Sequence, residues 1–171
     1  MITQPKRILV IDDDRQNCDL LEAMLKMLGH ESEIAMDGFE ALGKLSLDID
    51  LVLLDVMMPG MDGFEVARQI RSNPQYCDLP IIIVTALGSK EDRLRAVEAG
   101  ANDFISKPID KIELRVRTTT LLKMKEHQDA LKQYQNELED KVEKRTSELR
   151  QSLLDKVHAH REIYQAYLDT I

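Results

Sequence analysis

The chain has 171 residues, 43% of them apolar, with 31 acidic against 23 basic side chains for a formal charge of −8. That allows one hydrophobic core and an appendage, contains no apolar run near the roughly 18 residues of a membrane span, and argues against direct nucleic-acid binding through phosphate contacts. Cys18 and Cys77 have no motif spacing and read as thiols of a reducing compartment. The stretch from Met1 to Arg7 carries no signal-peptide pattern, so the expected location is cytoplasmic.

In chain order, Arg7–Ile11 reads as a short buried strand that ends in Asp12-Asp13-Asp14. A helix follows to about Leu28, with Leu20, Leu21, Met24, Leu25 and Leu28 on one stripe and Gly29 as its stop. Glu31–Ala35 is a weaker strand, expected near a sheet edge, and Asp37-Gly38 turns into a helix through Leu45. Leu51-Val52-Leu53-Leu54 is an unbroken apolar run between turn formers, the pattern of a strand buried on both faces, and it runs straight into Asp55. Gly63–Ser72 is the third helix, which Pro74 prevents from continuing. Pro80–Val84 is a fourth strand ending in Thr85-Ala86, Ser89–Ala99 a fourth helix stopped by Gly100, and Asn102–Ser106 a fifth strand closing in Lys107-Pro108. This β/α alternation predicts a flavodoxin-like, doubly wound five-stranded parallel sheet in the order 2-1-3-4-5 with right-handed crossovers.

The composition changes near residue 110. Residues 1–110 hold 11 basic and 20 acidic side chains, whereas residues 111–171 hold 12 and 11 and contain neither Pro nor Gly. A helix opening at Asp110, with Glu113 in capping-box position, meets nothing that would stop it, and unbroken it would run roughly 90 Å. Leu121, Met124, Leu131, Leu138, Val142 and Leu149 recur at helical steps, with Gln128, Gln135 and Arg145 at seam positions between them. A stutter through Leu153 and Val157 follows before His160, Tyr164, Tyr167 and Ile171 resume the stripe. The pattern predicts a homodimeric coiled coil over residues 123–171, continuous with the last helix of a domain spanning residues 1–122. The alternative is a single amphipathic helix folded back on the sheet.

In the predicted strand order Asp12, Asp13 and Asp55 converge on one crevice at the carboxyl ends of the strands, where ligands of open α/β sheets bind. Clustered carboxylates repel one another unless a cation sits among them, and hard oxygen ligands suit Mg²⁺. With Thr85 and Lys107 closing the same edge, phosphoryl transfer to the Asp55 carboxylate is the chemistry that this set of groups supports.

These residues resemble the receiver domain of the two-component response-regulator family. The resemblance rests on Asp12-Asp13, on Asp55 with Val56 to Gly63, on Thr85-Ala86, on Gly100 to Asp103 and on Lys107-Pro108, and it covers residues 7 to about 122. It implies that Asp55 accepts a phosphoryl group from the phosphohistidine of a histidine kinase or phosphotransfer protein. It further implies that Asp13, Asp55 and the Met57 backbone carbonyl bind Mg²⁺, with Asp12 helping through water, and that Thr85 and Lys107 contact the phosphoryl group. Thr85 and Phe104 are the implied switch pair, Lys107–Pro108 an expected cis bond, and Met57 and Leu87 the implied flanks of the path of attacking water. Residues Leu138 to Leu149 are similar to signalling-helix linkers that precede cyclic-dinucleotide phosphodiesterases, diguanylate cyclases and histidine kinases, so an output domain of that kind is an expected partner.

Rival readings remain. A stand-alone dimeric adaptor explains the tail but not the crevice. A Mg²⁺-dependent aspartyl-phosphate hydrolase of the haloacid dehalogenase type would need a second acid two residues beyond its nucleophile, where this chain has Met57. A flavin-binding protein would need a phosphate-binding loop after the first strand, where this chain has acids. On the favoured reading the domain is not an enzyme beyond catalysing its own phosphorylation and dephosphorylation.

Overall fold

The computed structural model describes residues 4–86 and 88–170. Residues 1–3, Leu87 and Ile171 lie outside them, and with them fall part of the N-terminal stretch, one expected flank of the water path and the last apolar residue of the tail stripe.

Ten elements alternate along the chain: β1 (Arg7–Ile11), α1 (Arg15–Met27), β2 (Glu31–Ala35), α2 (Gly38–Lys44), β3 (Leu51–Leu54), α3 (Gly63–Ser72), β4 (Ile81–Thr85), α4 (Lys90–Glu98), β5 (Asp103–Ser106) and α5 (Lys111–Asp169). The strands form one sheet in the order β2-β1-β3-β4-β5, and every neighbouring pair is parallel. Chain order and strand order are therefore those expected. The weaker β2 lies at an edge, and only its last residue, Ala35, is buried.

The two-residue period of a strand sorts side chains between two cores. Leu9 and Ile11, Val52 and Leu54, and Ile81 and Ile83 point to one face, where they pack with Ala41 of α2, Phe64, Val66 and Ile70 of α3, and Ala96 of α4. Ile8 and Val10, Leu51 and Leu53, and Ile82 and Val84 point to the other, against Cys18, Leu21 and Leu25 of α1 and Leu114, Leu121 and Leu122 of α5. All of β3, Ile8–Ile11 of β1 and Ile81–Val84 of β4 are apolar because both faces are covered. Each such aliphatic side chain withdrawn from water contributes about 1.5–3 kcal/mol before the entropy of ordering it is set against the gain.

Helix starts follow from side chains that accept orphan backbone N–H groups. Asp14 accepts from Gln16 N, Asp37 from Glu40 N, Asp62 from Glu65 N, and Ser89 forms a reciprocal capping box with Asp92. The Asp110 carboxylate accepts from the N–H groups of Ile112 and Glu113 at 2.8 and 2.9 Å. Gly29 (φ +84°) ends α1 and Gly100 (φ +92°) ends α4, both in the left-handed region that glycine enters freely.

Two compact units partition the chain, Met1–Glu126 and His127–Ile171. Within the first, α5 buries Leu114, Thr118, Leu121 and Leu122, and Lys6 Nζ pairs with Glu126 at 2.9 Å. In the second unit every described residue is helical up to Asp169 and exposed. Its visible side-chain bonds are along the helix itself, as between Gln135 and Glu139 or Gln151 and Asp155. Among the described residues no helix is long and apolar enough to cross a membrane.

Candidate functional site

The crevice is built by strand register. Ile11 of β1 pairs with Leu54 of β3, so Asp12 and Asp55 are the next residues out of two adjacent strands, and Asp55 N donates to Ile11 O at 2.8 Å. On the other side Thr85 of β4 pairs with Ser106 of β5. Lys107 N donates to Thr85 O at 2.9 Å, which aims the lysine back over the sheet edge. The Lys107–Pro108 bond is cis, as expected.

The side chains meet there. Asp12, Asp13 and Asp55 each bring a carboxylate oxygen within 4.8 Å of the others. Lys107 Nζ lies 2.7 Å from Asp12 Oδ2 and 3.3 Å from Asp55 Oδ1, bridging the two buried acids. Asp12 is fully engaged, its Oδ1 also accepting from Asp14 N at 2.9 Å and from Asn17 Nδ2 at 3.2 Å. Asp13 is exposed, while Asp55 is only 4% exposed. Burial pushes the Asp55 carboxyl above its ordinary value; Lys107 opposes this and the charge of Asp12 adds to it. Burial alone would lower Lys107, but its hydrogen bond to Asp12 and the charge of Asp55 outweigh that and raise it.

Thr85 is wholly buried at the end of β4, and Met57 on the rim is 62% exposed. Phe104 is half-buried on β5, on the side of the sheet that α4 covers. The loop after Asp55 is closed by Gly63 N donating to Val56 O at 3.0 Å. A Cβ on Gly63 would run into the Asp55 backbone carbonyl and come within 2.9 Å of Val56 Cα. Only glycine lets α3 start that close to the strand end at Asp55.

Asp14 does not join the cluster, because its carboxylate caps α1. Asn17 was not anticipated at all. It follows the cap Asp14 by three residues, one helical turn that carries it back over Asp12, and that spacing is the signal that could have found it. Arg71 was missed as well; it ties α3 to the far end of the sheet through Gly100 O, Leu79 O and Asn102 Oδ1 at 2.7–2.8 Å.

A hard cation fits this donor set: three carboxylates converge, and a lysine ammonium already answers part of their charge. The crevice on this doubly wound sheet thus holds a strand-end carboxylate flanked by acids, a buried threonine and a lysine. The family model for the response regulator receiver domain matches residues 8–119. The chain belongs to the response regulator receiver family of two-component systems.

Among curated relatives it is 45% identical over 128 residues to the response regulator PleD of Caulobacter vibrioides, covering 74% of this chain and 28% of that protein. It is 46% identical over 120 residues to the response regulator MprA of Mycolicibacterium vanbaalenii, covering 70% of this chain and 51% of that protein. The chain thus spans about half or less of the length of these relatives. Among solved structures, a CheY-like receiver domain protein of Methanospirillum hungatei superposes with a TM-score of 0.67 at 30% identity, over 73% of this chain and 99% of that one. A receiver domain of a sensor histidine kinase from Pseudomonas aeruginosa, described with a magnesium ion coordinated in its active site cleft, gives 0.64 at 30% identity over 69% and 98%.

Proposed function

We propose that Asp55 is the phosphoacceptor of a two-component phosphorelay, taking the phosphoryl group from the phosphohistidine of a histidine kinase or phosphotransfer protein. An Asp55 oxygen attacks phosphorus, the new P–O bond forms as the P–N bond breaks, and the imidazole nitrogen leaves with the electron pair. Lys107, already 3.3 Å from Asp55 Oδ1, is placed to hold a phosphoryl oxygen, and the Thr85 hydroxyl to hold another. Asp13, Asp55 and the Met57 carbonyl would hold Mg²⁺, with Asp12 acting through water; the ion would neutralise charge shared between carboxylate and phosphoryl oxygens. The observation that carries this reading is the convergence of two further acids, Asp12 and Asp13, and one lysine around the buried strand-end carboxylate of Asp55.

Incubation with acetyl phosphate and Mg²⁺ tests it. One phosphoryl adduct per chain is expected by intact mass, absent from Asp55→Ala. Rapid multiple turnover to free phosphate would favour the hydrolase, and no adduct would overturn the reading. Met57 on the rim is apolar, so an acyl-phosphate lifetime unlike that of receivers with a polar residue there is expected.

The signal is proposed to pass through Thr85 and Phe104 to the surface formed by residues 89–125. Unchanged hydrogen exchange across those residues on phosphorylation would sink that step. The receiver, residues 1–122, is then read out by the helical extension, residues 123–171, pairing with a second copy. Support comes from the exposure of Leu131, Leu138, Val142, Leu149, Leu153 and Val157, a stripe that its own unit leaves in water. Sedimentation with Mg²⁺ alone and then with beryllofluoride is the test. A mass doubling only with the mimic would mean the receiver face drives pairing, a dimer throughout would mean a constitutive coiled coil, and a monomer throughout would overturn the pairing. A cytoplasmic regulator that acts through a cyclic-dinucleotide or kinase output domain, rather than as an adaptor alone, completes the proposal.

A further inference from the structure

Helix α4 carries two arginines two positions apart, and each is parked on an aromatic ring. The Arg93 guanidinium carbon is 5.6 Å from the centroid of Phe104 on β5, and that of Arg95 is 4.5 Å from the centroid of Phe64 on α3. Residues two apart on a helix point to different sides, so the contacts bracket α4 from both flanks, one toward each neighbouring element.

Little else holds the helix. Its only buried residue is Ala96, while Leu94 and Val97 are 59% and 69% exposed. Next to the Arg93 contact lies an open cavity of about 300 Å³, lined by Arg93, Val97, Phe104, Ser106, Glu113 and Arg117. On its far wall Arg117 is held by Asp103 and Glu113. Phe104 is therefore partly buried, packed against the core but bordering that open space, with a cation attracted to its ring face.

We propose that Arg93 is a positioning residue for the aromatic switch: it latches Phe104 outward in the unphosphorylated chain, and Arg95 on Phe64 holds the opposite flank of α4 so that the latch stays registered. This rests on the reading of Asp55 as phosphoacceptor and of Phe104 as the residue that turns inward when Thr85 moves. The latch biases the receiver toward its resting state. Releasing it lowers what the phosphoryl group must supply to bring Phe104 in.

The chain contains three phenylalanines, Phe39, Phe64 and Phe104. Biosynthetic labelling with fluorophenylalanine therefore gives three resonances that single Phe→Leu variants assign. The Phe104 resonance is expected to shift in Arg93→Ala without any ligand, and that of Phe64 in Arg95→Ala. Half-saturation by beryllofluoride, with Mg²⁺ present, is expected to fall about two- to fivefold in Arg93→Ala, the size of one exposed cation–aromatic contact. Arg93→Lys keeps a cation over the ring and should restore most of the difference, which a merely structural role for the arginine would not require. A wild type that responds to beryllofluoride while Arg93→Ala matches it in half-saturation overturns the latch alone. A wild type that does not respond overturns the phosphoacceptor reading and the latch with it.

Discussion

Helices α3 and α4 cover the same face of the sheet and both start from a side-chain cap, yet they are anchored very differently. α3 buries Gly63, Phe64, Val66, Ala67 and Ile70, whereas α4 buries Ala96 alone. Capping and helix propensity suffice to form a helix, but only burial fixes it to a sheet. The loop after Asp55 is thus backed by a deeply buried helix on one side and by a shallowly anchored one on the other. On the proposed phosphoacceptor reading, one wall would hold the chemistry still and the other would report it.

The largest test of this contrast is Phe64→Ala. Removing a fully buried ring from α3 should cost about 3–5 kcal/mol in urea titrations, and a cost under about 1 kcal/mol would deny α3 its anchoring role. The cap substitutions sharpen the comparison. Asp62→Ala and Ser89→Ala each remove a hydrogen bond worth about 1 kcal/mol at a helix start. In α3 the loss should appear as a lower global midpoint. In α4 it should appear as faster amide exchange confined to residues 90–98, with the midpoint nearly unmoved, and equal global losses would erase the distinction.

The smallest effect is a control away from both helices. His30 Nδ1 accepts a hydrogen bond from Lys6 N at 3.4 Å, and burial, with Lys6 adding, holds its pKa below the ordinary 6.5. The folded state therefore binds that proton less readily than the unfolded chain. The neutral ring's contribution is complete above pH 6.5 and is lost as the pH falls through the lower folded value. Stability of wild type should drop more steeply than that of His30→Gln as the pH is lowered below 6.5, and parallel curves would contradict this assignment.

Much of the architecture was legible because parallel strands announce themselves. The runs at Ile8, Leu51 and Ile81 are apolar at consecutive positions, and each ends on a residue of the crevice. Asp14, next in sequence to two of the crevice acids, instead caps α1 by accepting from Gln16 N. The arginine–aromatic contacts of α4 were illegible, since each joins residues distant in sequence through side-chain directions that no periodicity encodes. The tail stripe could be read, but a stripe on one chain does not say what covers it.

The crowding at Gly63 also constrains how this domain can vary. Residue 63 touches no phosphate, metal or partner in any part of the proposed chemistry, and yet the Asp55 carbonyl occupies the volume its side chain would need. If the loop from Val56 to Gly63 were randomised and variants were recovered for phosphorylation, the exposed Met57 should tolerate many replacements. Position 63 should return glycine almost alone, so that a sequence profile would mark as reactive a residue whose whole contribution is to take up no room.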